Sequence, residues 1–373
     1  MSTPASASAA GSGEIASLNG IRALAVSLVF LAHAGFEQLP GGLGVTLFFV
    51  LSGYLITTLL RREYRAQGAI ALRAFYLRRL LRLMPPLLVV VALAALLSSL
   101  GLVAGAFSLT GLLSVLFYFG NYQIIASDFG GMPSGIGVVW SLAVEEHYYL
   151  LYPPLALLLL RSRRRGLPVA VLAALCLAML GWRCWLLLHG ASPAWLMMAT
   201  DTRADAILVG CLMAFGSDSL LGAAAQPGHG RRDRALFAGA ALLLLATLVW
   251  RNEFFRLSLR YSLQSVALAA LLWVAVARAD SRWFRWLGAR PLVWLGGVSY
   301  SVYLSHQLIL GFVQRQWPEH SELAILLITA ALTLALAEAL RRMVEQPLAG
   351  WRRRLRQRPN PLATPLPMAG LTR

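Results

Sequence analysis

Two histidines stand inside apolar stretches of this 373-residue chain, His33 in LAVSLVFLAHAGF and His306 in SYSVYLSHQLIL. An imidazole can take and return a proton near neutral pH, or carry an acyl group for part of a reaction. An ionisable group within an apolar span faces a cavity or a partner. Each histidine is therefore either a group aimed at a substrate or a core residue satisfied by a carbonyl of its own helix. His33 lies about 22 Å along a helix from Leu18, past the midplane of a span that starts there.

Charged groups cluster at three further places. Arg78, Arg79 and Arg82 lie in FYLRRLLRLMPP. Arg79 and Arg82, spaced i, i+3, share one helix face. Paired guanidiniums suit a phosphate-bearing ligand through bidentate hydrogen bonds; the alternative is charge that only anchors a span at the cytoplasmic edge. Glu145, Glu146 and His147 open the stretch EEHYYLLYPP. Adjacent helical residues diverge by about 100°, so one carboxylate at most faces a given cavity. Tyr148, Tyr149 and Tyr152 beside them read as an interfacial aromatic belt. In TDTRADAILVG, Arg203 and Asp205 can pair with each other or meet an acceptor.

Other candidates carry less. GVTLFFVLSGYLI lacks the GxSxG of a nucleophile elbow, so Ser52 and Gly53 read as a close-packing pair. Cys176, Cys184 and Cys211 have neither CxxC nor metal-ligand spacing and read as small buried apolar residues, and no metal is expected.

The elements that must hold these groups are helices in a bilayer. Hydrophobic residues make up 58% of the chain and charged residues 13%, against about 25% charged in ordinary soluble domains. That excludes a soluble enzyme, a disordered chain and a disulfide scaffold. The fold class is all-α, a polytopic membrane protein with about ten spans. These fall near 18–36, 44–60, 83–103, 138–160, 168–188, 203–216, 235–250, 261–278, 291–313 and 322–342, and a short re-entrant or interfacial segment lies at 108–122.

The charge fixes the orientation. All 33 basic residues are arginine and the net charge is +17. Blocks at 61–82, 161–165, 231–234, 278–290 and 341–358 hold 25 of them. If 108–122 does not cross, all five blocks share one side, which predicts cytoplasmic termini in a bacterial inner membrane. The basicity then needs no nucleic acid. Residues 1–17 form an N-terminal cytoplasmic tail without the basic n-region of a cleaved signal peptide. Residues 18–347 form the membrane domain, and 348–373 an Arg- and Pro-rich, poorly ordered cytoplasmic tail.

Read in order, LNGIRALA with His33, GVTLFFVLSGYLIT, FYLRRLLRLMPP, WSLAVEEHYYLLYPP, TDTRADAILVGCLMA and SYSVYLSHQLIL resemble the acyltransferase family 3 membrane proteins, over about Leu18 to Pro347. The resemblance implies a ten-span O-acyltransferase that modifies cell-surface carbohydrates or related molecules, with cytoplasmic acyl-CoA, usually acetyl-CoA, as donor. It matches the family's first-span histidine to His33, its first-span arginine to Arg22, its arginine–x–x–arginine pair to Arg79 and Arg82, and its WSL–x–x–E glutamate to Glu145. Trp140 and Ser141 of that motif, with Arg22, Arg203, Asp205 and His306, are candidates for binding substrate.

Three positions depart from the pattern. Members often carry aspartate where Asn19 and Thr46 stand, and glutamine where His147 stands. The first two remove negative charge beside the first two spans; the third adds a titratable group next to Glu145.

The implied mechanism has Arg79 and Arg82 holding CoA phosphates, His33 as base or transient acyl carrier, and Glu145 orienting and polarising His33 or the acceptor. An extended pantetheine arm of roughly 15–20 Å bridges the arginines and His33. The partners are acyl-CoA, a carbohydrate or glycosylated acceptor and membrane lipid. A second reading is a transporter or flippase of an amphipathic or lipid-linked glycan. Ten spans and polar groups at depth fit it, and the lack of internal repeats weighs against it.

Overall fold

The computed structural model describes residues 6–162, 164, 166–224 and 230–357, and every regular element among them is helical. Ten of those helices have 18 residues or more: α1 (Ser6–His33), α2 (Gly41–Gln67), α3 (Leu72–Ser99), α4 (Val139–Arg161), α5 (Leu167–Leu188), α6 (Asp205–Ala224), α7 (Gly230–Val249), α8 (Leu259–Ala277), α9 (Ser299–Gln316) and α10 (Glu322–Leu340). Length alone does not make a span. Six of them, α1, α2, α3, α5, α8 and α10, are both long and apolar enough to cross a membrane. Of the others, α4 holds Glu145, Glu146 and His147 and α7 opens on GRRDR, while the apolar stretch described in α6 is only Asp205–Gly216.

Burial sorts the spans. The α2 and α8 windows are 67% and 61% buried, whereas that of α5 is only 11% buried. α2 and α8 are thus central, and α5 is an outer wall whose exposed Leu175, Leu177 and Leu188 call for lipid. α2 and α6 touch backbone to backbone. A Cβ on Gly53 would stand 1.9 Å from the Ile207 carbonyl oxygen, and one on Gly210 2.1 Å from that of Val50. Small residues at such a crossing let two membrane helices close on each other.

Several boundaries differ from those expected, each for a local reason. α1 stops at His33 because the chain turns at Gly35 (φ 106°), so His33 is the exposed last residue of its helix rather than an interior one. α3 starts at Leu72, so Arg78, Arg79 and Arg82 lie within it; arginine is a good helix former. Pro85 and Pro86 follow inside the same helix, which membrane helices tolerate where neighbours re-satisfy the freed backbone groups. The span expected over 291–313 is two helices, Arg290–Gly297 and α9, broken at Val298 after two glycines.

The segment 108–122 falls on two eight-residue helices, Leu109–Leu116 and Gly120–Ser127. Each is about 12 Å long, too short for a hydrocarbon core of about 30 Å. Where a poorly ordered tail is expected, Gln346–Gln357 is helical and packs against α3; its Ala, Leu and Arg residues favour that state. Arg163, Arg165 and the tail residues 1–5 and 358–373 lie outside the described residues.

Candidate active site

The arginines of α1 and α3 meet in one cavity. It has a volume of about 70 Å³ and is lined by Arg22 of α1, Ser52 of α2, Arg79 and Arg82 of α3, Ser141, Glu145 and Tyr149 of α4, and Ser299, Tyr300 and Tyr303 of α9. A water needs about 10–15 Å³ on this measure, so the cavity admits a phosphate-sized group and not a whole nucleotide. The i, i+3 spacing of Arg79 and Arg82 turns both onto this face, while Arg78 pairs with Glu63 at 3.6 Å. The Arg79 guanidinium lies 4.4 Å from the Tyr149 ring centroid.

Glu145 is the one carboxylate among the lining residues, against three guanidiniums. The Tyr149 hydroxyl donates to its Oε2 at 2.7 Å and lies 3.1 Å from the Ser52 Oγ. The result is an electropositive recess in a low-dielectric interior, a fitting environment for an anion. One turn before Glu145 on the same helix face, Ser141 Oγ lies 2.6 Å from the Tyr303 hydroxyl.

Glu146 diverges from Glu145 as helical geometry requires, and its buried Oε1 has no hydrogen-bond partner. His147 also turns away: its Nδ1 lies 2.7 Å from Thr200 Oγ1, and its ring stacks on Tyr122. Tyr148, Tyr149 and Tyr152 do not form an interfacial belt. They are 5%, 4% and 2% exposed, with Tyr148 on Cys211 Sγ and Tyr152 accepting from Thr57.

His33 is not part of the cavity wall. It lies on α1 eleven residues beyond Arg22, about 16 Å along the axis, and its Nδ1 is 3.0 Å from the Nε2 of His306. His306 is 1% exposed, and its Nδ1 sits 2.7 Å from the Tyr303 carbonyl oxygen. The structure thus joins two sequence candidates that are 273 residues apart, and gives Glu145 a tyrosine rather than His33 as its hydrogen-bond partner.

Arg203 and Asp205 have separate partners. Asp205 is ion-paired with Arg183 in a fully buried contact and accepts from Ser262 Oγ at 2.5 Å. The Arg203 guanidinium lies 3.9 Å from the Tyr261 ring centroid and 5.9 Å from that of Trp140, and its Nη2 donates to Thr46 Oγ1 at 3.2 Å. Among the described residues no three His, Cys, Asp or Glu side chains converge to hold a metal ion.

A family model described as an acyltransferase domain matches residues 15–342, most of the chain and all of this site. The chain belongs to this acyltransferase family. Among curated relatives, the peptidoglycan O-acetyltransferase OatA of Listeria monocytogenes is 31% identical over 309 residues, 79% of this chain and 49% of the relative. A protein named "Putative O-acetyltransferase" from Staphylococcus aureus is 29% identical over 89% of this chain and 57% of its own length. One named "Putative peptidoglycan O-acetyltransferase YrhL" from Bacillus subtilis is 31% identical over 79% of this chain and 48% of its own. The chain spans about half the length of the curated relatives it matches. No solved structure matches it.

Four residues of this polar framework carried no functional reading in the sequence: Tyr149, Tyr303, Ser52 and Arg183. Only the first left a signal, its i, i+4 spacing from Glu145. The other three are defined by long-range contacts between helices.

Proposed function

We propose that the chain is a membrane O-acyltransferase that moves an acetyl group from cytoplasmic acetyl-CoA to a hydroxyl of a carbohydrate acceptor. The observation that carries this reading is the cavity with Arg22, Arg79 and Arg82 on its wall and Glu145 as their one carboxylate, about 16 Å along α1 from His33. Three guanidiniums match phosphate oxygens by bidentate hydrogen bonds. The pantetheine arm then reaches from there towards His33, on the scale its extended length allows. The cavity's small volume leaves the adenine nucleotide outside, towards the arginine-rich end of α3.

In this reading all ten long helices cross the bilayer, with the five arginine blocks and both termini on the cytoplasmic side. His33 serves as the base that takes the acceptor proton, or carries the acyl group in transit. Glu145, held by Tyr149, sets the charge balance of the donor cavity. The names of the relatives point to an acceptor like the sugar backbone of peptidoglycan. A transporter reading is not favoured, because it gives no role to the arginine cavity and histidine together.

The test is incubation of the purified protein with labelled acetyl-CoA and an N-acetylglucosamine oligosaccharide. Acceptor-dependent release of CoA and label in the sugar are expected, and both vanish in His33→Ala. A His33→Ala protein with normal transfer sinks the role given to His33. Transport of a glycan without CoA release sinks the enzyme reading.

A further inference from the structure

The hydrogen bonds around the two histidines fix which nitrogen of His33 is free to react. His306 is buried within α9, and its Nδ1 is 2.7 Å from the Tyr303 carbonyl oxygen. A carbonyl only accepts, so His306 Nδ1 carries a hydrogen. Its Nε2 faces His33 Nδ1 at 3.0 Å. Two lone pairs repel each other and so do two N–H groups, so one hydrogen lies between the rings.

Among the described residues neither ring forms an ion pair with a carboxylate. A second proton on His306 would be a buried charge without a counter-ion, which is costly. His306 is therefore neutral, its Nε2 accepts, and the shared hydrogen belongs to His33 Nδ1. With that hydrogen on Nδ1 the lone pair of His33 is on Nε2, and His33 is exposed at the end of its helix.

We propose that His306 is a positioning residue for acyl transfer: anchored by the Tyr303 carbonyl, it accepts from His33 Nδ1 and holds His33 in the tautomer whose Nε2 takes the acceptor proton. The inference rests on the reading of His33 as the base. In the step, the acceptor O–H bond breaks and its proton goes to His33 Nε2, while the oxygen bonds to the thioester carbonyl carbon. The C–S bond then breaks with its electron pair on sulfur, and the thiolate takes the proton from Nε2. An ester and a thiol leave, and His33 is neutral again. While His33 is an imidazolium its Nδ1–H still points at a lone pair on His306, the arrangement a buried carboxylate supplies in a serine hydrolase triad.

The same α9 face ties this relay to the donor cavity. Tyr303, whose carbonyl anchors His306, presents its ring and hydroxyl to the cavity wall beside Ser141. A donor seated among the arginines and an acceptor at His33 therefore meet along one helix.

The first test is nitrogen NMR of the full chain labelled with 15N-histidine, with His33→Ala used to assign the signal. His33 is expected as the tautomer protonated at Nδ1, and His306→Ala is expected to abolish that preference. The second is turnover of acetyl-CoA with the oligosaccharide probe. His306→Ala is expected to lower kcat about 100-fold with KM for acetyl-CoA within about twofold, because the donor site is untouched. His306→Gln puts an amide oxygen close to where Nε2 stood and is expected to recover about tenfold of the loss. A structural role would not move the tautomer signal or separate Ala from Gln. His33 protonated at Nε2 in the unmutated protein overturns the proposal, whatever the variants do. So does full turnover by His306→Ala while His33→Ala is dead, an outcome that leaves His33 as the base. Full turnover by His33→Ala overturns the base reading itself.

Discussion

Glu145 and Tyr149, one turn apart on α4, are joined by a 2.7 Å hydrogen bond on the wall of a cavity that also holds Arg22, Arg79 and Arg82. The carboxylate is the one negative group among the lining residues, so it limits how strongly the cavity attracts an anion. Glu145→Gln keeps the shape and removes the charge. Acetyl-CoA is expected to bind at least as tightly, by calorimetry, while transfer falls by tenfold or more. Weaker donor binding in that variant would show that Glu145 contacts the donor rather than balancing its site.

Arg79→Lys and Arg82→Lys separate phosphate recognition from plain anchoring. A lysine keeps the charge that orients α3 but loses the planar fork. A hydrogen bond to a charged partner contributes about 1.5–3 kcal/mol, so each variant is expected to weaken acetyl-CoA binding roughly tenfold or more. Membrane insertion and melting temperature should stay unchanged. The control is Arg78→Lys: Arg78 faces Glu63 at 3.6 Å instead of the cavity, so donor affinity should stay within about twofold.

The helices and the shared face of Arg79 and Arg82 were legible because both follow from local periodicity. So was the divergence of Glu145 from Glu146. The partners of His33, Asp205 and Arg203 were not. His33 and His306 are 273 residues apart, and only the packing of α1 on α9 brings them together. Arg203 and Asp205 look like a pair by spacing, but a turn at Ala204 separates the Thr200–Arg203 helix from α6, and the two side chains diverge. The tyrosines of α4 look interfacial by composition, yet they are buried because α2 and α6 cover them.

The Arg183–Asp205 pair predicts a stability effect without a binding effect. Both side chains are buried, at 0% and 1% exposure. Removing one partner strands the other as an uncompensated charge, at a cost of about 3–5 kcal/mol. Asp205→Ala should therefore lower the melting temperature in detergent sharply. In the fraction that stays folded, KM for donor and acceptor should be near normal. A raised acceptor KM with unchanged stability would return Asp205 to the substrate site.

The last prediction concerns Thr46, one of the positions where the resemblance to acyltransferase family 3 implies aspartate. Thr46 is fully buried and accepts from Arg203 Nη2 at 3.2 Å, while the Arg203 Nε is buried with no hydrogen-bond partner. Three aromatic rings, Phe49, Trp140 and Tyr261, partly compensate the guanidinium through their faces, but a cation–π contact contributes only about 0.5–2 kcal/mol. An aspartate in place of Thr46 would put a carboxylate beside the guanidinium in nearly the same volume. Thr46→Asp is therefore expected to raise the melting temperature by several degrees, and the gain should disappear when combined with Arg203→Gln. The four proteins of that double-mutant cycle, melted in the same detergent, give the coupling directly. An additive result would mean that Arg203 is already satisfied by its rings and Thr46.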